Sequence, residues 1–289
     1  MDVTQVEMLQ LIQTLATPWL DKLMILLSFI GDEEFYIATV PMIYYAVSKR
    51  VGIRLAIVLA CSMFVNAWLK FFFATPRPIG VEGIRSLYTS SATGMSFPSG
   101  HSQGSATYWG YLACVVKKGW FVVLAGLLIL SIMFSRLYLG VHWPIDVVGG
   151  LVFGGLFVSG MVWADGRFVS KLGHSVKLIL GMLLPLVLLA FYHQTDGMKL
   201  VGFLLGGWIG YVMESKQVGM ELPKSWAKRV VPTVVGLVLV FAVRWVLKAA
   251  LPENGVMDLL RYAFVGFTAT MLIPALFVKL KWYPGKPRI

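Results

Sequence analysis

The sequence predicts an all-α protein, a polytopic transmembrane helical bundle of about ten spans. Three observations predict it. Of the 289 residues 58% are hydrophobic and 13% charged, whereas a soluble domain is roughly a quarter charged. The apolar residues come in blocks about as long as a bilayer is thick, and a helix satisfies its own backbone hydrogen bonds inside such a block. The Lys and Arg residues sit mainly in short stretches between the blocks.

The elements follow in chain order. Residues 1–18 mix apolar and polar side chains at helical spacing, which predicts an amphipathic helix lying at the membrane surface. The N-terminus lacks a basic region ahead of a short apolar core, so no cleavable signal peptide is expected. Apolar segments then run over 19–31, 34–48, 51–73, 101–116, 119–139, 145–163, 175–193, 199–214, 230–248 and 258–280. The division of 19–48 into two spans rests on the acidic stretch Gly31-Asp32-Glu33-Glu34. Cys61 and Cys114 fall inside apolar segments without metal or redox spacing and are expected to be core thiols.

Basic loops give the orientation, because short cytoplasmic loops are enriched in Lys and Arg. With both termini inside, sixteen of the 25 basic residues fall on inner segments, around Lys49, Lys117, Arg167, Lys216, Lys228 and Lys281. The net charge of +11 is therefore topological, and with no basic run or aromatic ladder it does not point to nucleic acid. A multi-pass protein of the cell membrane is expected, and the lack of an N-x-S/T sequon points to a bacterial inner membrane.

Three clusters escape the charge rule, and all lie at outer helix ends. In Lys70–Pro78, Pro76 and Pro78 stop a helix and present Arg77 from a rigid turn, with Lys70 one or two turns deeper. Taken alone, these are equally a snorkelling lysine and a loop arginine. In Phe97–Ser102, Ser99 suits an N-cap and Gly100 leaves its N–H open, so the helix start offers an anion site with His101 on its first turn. A lone histidine there is more often a structural donor. In Ser135–Asp146, Gly140 permits a turn and Pro144 starts a helix, which puts Asp146 on the same face as His142. Asp146 can accept the Nδ1–H of His142 and leave Nε2 free as nucleophile or base. As a self-satisfied structural pair, the two would be costly at a membrane boundary. Three cations and free amides suit a phosphate and its transition state, and two histidines allow attack from one side and protonation from the other.

The order Lys70–Arg77–Pro78, Pro98–Ser99–Gly100–His101, Ser135–Arg136–His142–Asp146 resembles the signature of the membrane-bound type 2 phosphatidic acid phosphatases, related to vanadium haloperoxidases. Gly31-Asp32-Glu33-Glu34-Phe35-Tyr36 also looks like the sphingosine-phosphate and long-chain-base phosphatase branch. The resemblance implies hydrolysis of a lipid phosphate, monoester or pyrophosphate, through a phosphohistidine, without metal or other cofactor. It implies that His142 is the nucleophile, Asp146 its orienter and His101 the acid. Lys70, Arg77, Ser99, Gly100 and Arg136 would hold the phosphate. It also implies a six-helix core over residues 19–166.

Residues 170–289 exceed that core by four expected spans. They are read as an accessory bundle, stabilising or dimerising, or else as a lipid-binding module. His174 and His193 follow no motif and are read as boundary histidines. The expected partners are the lipid phosphate substrate, membrane lipids and, through the bundle, a second copy of the chain. Two other functions share the same phosphate site: a lipid transporter or flippase, and a head-group transferase using an alcohol in place of water.

Overall fold

The computed structural model describes residues 3–168, 171–192 and 194–286, apart from the side chains of His174 and Lys177; His193 lies outside the described residues. The described residues form helices and no strands. They are α1 (Val3–Gln13), α2 (Pro18–Phe29), α3 (Glu33–Met42), which continues into a π-helical turn at Ile43–Val47, α4 (Lys49–Phe73), α5 (Gly100–Val116), α6 (Gly119–Tyr138) and α7 (Pro144–Arg167). Then come α8 (His174–Phe191), α9 (Thr195–Gln217), α10 (Ala227–Ala250), α11 (Gly255–Phe267), a second π-helical turn at Thr268–Leu272, and α12 (Ile273–Lys279).

Among the described residues, five helical stretches are long and apolar enough to cross a membrane: 49–73, 119–138, 144–167, 227–250 and 255–279. This does not confirm the expected count of ten. The segment 19–31 fails for a clear reason. Its helix, α2, has 12 residues, about 18 Å at 1.5 Å per residue against a hydrocarbon thickness of about 30 Å. Thr17 caps it and Pro18 opens it. At its start, Asp21 takes a two-pronged bond from Arg85 (2.7 and 2.8 Å) and one from the Tyr138 hydroxyl (2.6 Å). At its end, Ser28 meets Arg136 and Asp32 meets His101. Both ends thus sit at the motif-bearing ends of other helices.

The same holds for α1. The Gln13 side chain donates to the carbonyls of Arg85 (2.7 Å) and Tyr138 (3.1 Å) and accepts from the Arg85 N–H (2.9 Å). Gln5 accepts from the Ile145 N–H, and Leu9 packs on Ile84 and Trp143. The opposite side of α1 exposes Val3, Met8 and Leu11. The N-terminal helix therefore lies beside the motif loops, not at the opposite end as the ten-span topology requires.

The chain divides into two compact units, residues 1–36 with 65–166, and residues 37–64 with 167–289. In the first unit α5 and α7 approach backbone to backbone. A Cβ on Gly150 would lie 2.6 Å from the Ser99 carbonyl oxygen, and one on Gly154 2.7 Å from that of Gln103. This small-residue seam fixes the two helices that carry the histidines. The buried polar side of α5 is satisfied locally: the Asn66 amide donates to Gln103 Oε1 (2.9 Å) and to the Pro98 carbonyl (3.2 Å).

In the second unit α9 packs on α11 through Gly202, Gly206 and Gly210, and a Cβ on Gly206 would overlap the Ala263 carbonyl. Tyr44, Tyr45, Phe277 and Tyr283 form its aromatic core. Glu214, fully buried, accepts from Lys49 Nζ (2.6 Å) and the Met220 N–H (2.7 Å). Asp258 and Arg261 pair one helical turn apart. Cys61 is buried as expected of a core thiol, while Cys114, near the end of α5, is exposed.

Candidate active site

The site is assembled in the first unit from the end of α4, the start of α5, the end of α6 and the start of α7. Past the end of α4, Pro76 and Pro78 hold the chain extended so that Arg77 turns inward. Its guanidinium donates to the carbonyls of Gly94 (2.9 Å), Thr93 (2.8 Å) and Val141 (2.8 Å). The same Nη1 lies 3.0 Å from His142 Nε2. Lys70, on the last turn of α4, reaches the Met95 carbonyl, which Arg77 also contacts. The loop 93–96 is thereby wrapped around both cations.

Ser99 caps α5 as its spacing predicts: its hydroxyl accepts from the Ser102 N–H (3.4 Å), and its own N–H donates to the Asp146 carbonyl (2.9 Å). Gly100 is the first residue of the helix and His101 the second. Their turn is thus tied directly to the start of α7.

Arg136, near the end of α6, is completely buried. One guanidinium nitrogen donates to Ser28 Oγ (2.5 Å) and Ser91 Oγ (2.9 Å). Nε and Nη2 are buried without a partner. Unpaired buried donors on a charged group are costly, and here they are an arrangement ready for an anion. Ser135, its neighbour in the motif, bonds back to the Ile132 carbonyl within the helix. Gly140 makes the turn that follows with φ +65°, and a Cβ there would lie 2.2 Å from the Arg85 carbonyl oxygen.

His142 and Asp146 meet across the first turn of α7, as the four-residue spacing predicts. Nδ1 of His142 lies 3.4 Å from Asp146 Oδ2 and 3.3 Å from Ser96 Oγ. Asp146 Oδ2 also accepts from the Ser96 hydroxyl (2.5 Å) and the Trp143 N–H (2.7 Å). These partners keep the proton on Nδ1 and turn the Nε2 lone pair towards Arg77. Burial first, and then the positive charges of Arg77, Arg136 and Lys70, hold the His142 imidazole well below the ordinary histidine range, so it is neutral. Burial also brings Arg77 down to about 10, against an upward pull from Asp146.

Sequence reasoning missed Ser96, Ser28, Ser91, Tyr88 and the contact of Asp32 with His101. Asp32 stands out in the sequence only as part of an acidic turn. Among the described residues no three or more His, Cys, Asp or Glu side chains gather as a metal-ligand set. The donors present are cations, hydroxyls and a helix start, which suit a phosphate.

Apolar helices with buried cations, a helix start and a histidine bonded to an aspartate at one end fit a membrane enzyme of the phosphatase class. The PAP2 superfamily profile matches residues 52–169, and that of the PAP2 superfamily phosphatase, transmembrane extension, matches residues 198–285. The undecaprenyl-diphosphatase of Sulfolobus acidocaldarius is 30% identical over 175 residues, 60% of this chain and 84% of that one. A probable sphingosine-1-phosphate phosphatase of Dictyostelium discoideum is 26% identical over 63% of this chain and 48% of its own length. The crystal structure of a PAP2-type phosphatidylglycerolphosphate phosphatase from Bacillus subtilis superposes with a TM-score of 0.50 at 25% identity, covering 57% of this chain and 88% of that one. The chain belongs to the PAP2 superfamily.

Proposed function

We propose that this PAP2-type membrane phosphatase hydrolyses a lipid phosphate, monoester or diphosphate, through a phosphohistidine on His142. The observation that carries the reading is the orientation of that ring: Nδ1 is engaged by Asp146 and Ser96, and Nε2 faces Arg77. The undecaprenyl-diphosphatase and sphingosine-1-phosphate phosphatase relatives support a lipid substrate.

The phosphoryl group binds to Lys70, Arg77, Arg136 and the Ser99–Gly100 turn. The Nε2 lone pair attacks phosphorus, the bond to the leaving oxygen breaks, and His101 gives that oxygen its proton. Neutral His101 then takes a proton from water as the water oxygen attacks the phosphohistidine. The P–N bond breaks, its electron pair returns to Nε2, and inorganic phosphate leaves. Residues 19–166 carry all of this chemistry, and 170–289 act as an accessory bundle.

The purified full-length protein should release phosphate from at least one of phosphatidate, a sphingoid phosphate, phosphatidylglycerol phosphate or a polyprenyl diphosphate. It should do so in EDTA, and His142→Ala should abolish release. Loss of activity on chelation, restored by magnesium or zinc, would contradict the mechanism. A transporter would bind these lipids without releasing phosphate, and a transferase would give an alcohol-derived phosphate ester.

The basic loops support an extracytoplasmic site. With both ends of α2 beside the motif loops, α1 shares the side of the site. In a chain lacking Cys61 and Cys114, Glu82→Cys and Val3→Cys should label with an impermeant reagent from outside and Lys117→Cys should not. Labelling of Lys117→Cys alone would invert the site.

A further inference from the structure

The proposed reaction assigns no task to the acidic turn between α2 and α3, yet that turn is built against His101. Asp32, 6% exposed, contacts His101 Nε2 through Oδ1. Its other oxygen accepts from the Tyr88 hydroxyl at 2.6 Å. Gly31 lies flat on the histidine: a Cβ there would come within 3.1 Å of His101 Cδ2 and 3.0 Å of Ile132 Cγ2. One turn earlier, Ser28 holds Arg136. A turn that touches both His101 and Arg136 and packs tightly on the imidazole does more than join two helices.

The charges around His101 define the problem that this carboxylate solves. The ring is buried and senses Arg136 on α6, Arg77 on the loop after α4, and His142 at the start of α7. Tyr88 lies behind Asp32, with Glu34 further out. Two arginines and a desolvated site both oppose an imidazolium, while a general acid must hold its proton until the leaving oxygen takes it. Asp32 is the anion that faces the ring. Burial works against its charge, but the bonds from His101 and Tyr88 and the charge of Arg136 outweigh burial and keep the carboxylate ionised.

We propose that Asp32 is the positioning residue of His101: it holds Nε2–H, favours the protonated ring and leaves Nδ1 to pass the proton to the leaving oxygen and later to take one from water. Tyr88 orients Asp32. The proposal rests on the reading of His101 as the acid and gives the acidic turn its role in the reaction.

The test uses the full-length enzyme and phosphate monoesters whose leaving alcohols span a range of acidity, with kcat/KM followed against pH. This parameter covers the attack step, in which His101 acts only as an acid. Asp32→Asn should lower kcat/KM about 100-fold or more on poor leaving groups and less than about tenfold on good ones. Removing the anion destabilises the imidazolium, so His101 deprotonates at lower pH. The basic limb for poor leaving groups should move down by about one unit. Asp32→Glu should restore part of the rate, and Tyr88→Phe should produce the same pattern at smaller size even if Asp32→Asn folds poorly. Equal losses on all leaving groups with an unmoved basic limb would reduce Asp32 to a structural residue and overturn the proposal. His101→Ala in the same series separates the two ideas. If its losses depend on the leaving group and those of Asp32→Asn do not, only this proposal fails. If its losses are uniform, the acid assignment fails and the proposal falls with it.

Discussion

The site holds two histidine–aspartate pairs, built in opposite ways. His142 and Asp146 stand four residues apart on one helical turn, and the contact uses Nδ1. His101 and Asp32 stand 69 residues apart on different elements, and the contact uses Nε2. The first pair turns Nε2 towards Arg77, and in the second Nε2 itself faces the carboxylate. Their surroundings differ as well. Asp146 is shared with Ser96 and the Trp143 amide, so its charge is spread over several donors, while Asp32 takes the Tyr88 hydroxyl as its second side-chain donor. Under the proposed mechanism the two pairs divide the labour. A nucleophile needs a neutral ring held in one tautomer, which a shared, diluted carboxylate provides. The proposed acid, His101, faces a carboxylate that Tyr88 holds through its other oxygen.

Substitutions can break this comparison. The largest difference is expected from Asp146→Asn, which keeps the shape and removes the negative charge that holds the proton on Nδ1 of His142. We expect kcat/KM to fall about 1,000-fold or more, by analogy with other oriented catalytic histidines, and to fall equally for good and poor leaving groups. Ser96→Ala should act in the same direction at about tenfold, because the Trp143 amide still holds the carboxylate in place. If Asp146→Asn spared good leaving groups, the two aspartates would be doing the same thing and the contrast would be lost.

The same contrast explains what could be read from the sequence. The pair His142–Asp146 was legible because one helical turn brings residues four apart together, and Ser99 was legible because a serine before a helix start is an N-cap. Arg77 was legible from its two flanking prolines. The contact of Asp32 with His101 was not, since no local periodicity joins residues 69 positions apart. In the sequence Asp32 shows only as acid in an apolar stretch. The nature of α2 was hidden by composition: its leucines and isoleucines meet the hydropathy of a span. What marks it out in the structure is Asp21 near one end and Asp32 just past the other, each bonded to a distant partner. Cys114 departs from expectation for a similar reason, because an apolar neighbourhood in sequence does not say which side of a helix faces the core.

In the proposed reaction one histidine carries the phosphoryl group while the other moves protons, and trapping the intermediate separates the two roles. His101→Ala should be mixed with a phosphate ester of a good leaving group labelled in the phosphoryl group, then quenched in alkali within the first turnovers. Attack needs no acid with such a substrate, but hydrolysis of the intermediate lacks its base. We therefore predict a burst of leaving group and an alkali-stable, acid-labile label on the peptide containing His142. A variant that turns over without any such label, or that carries it at another residue, would contradict the account.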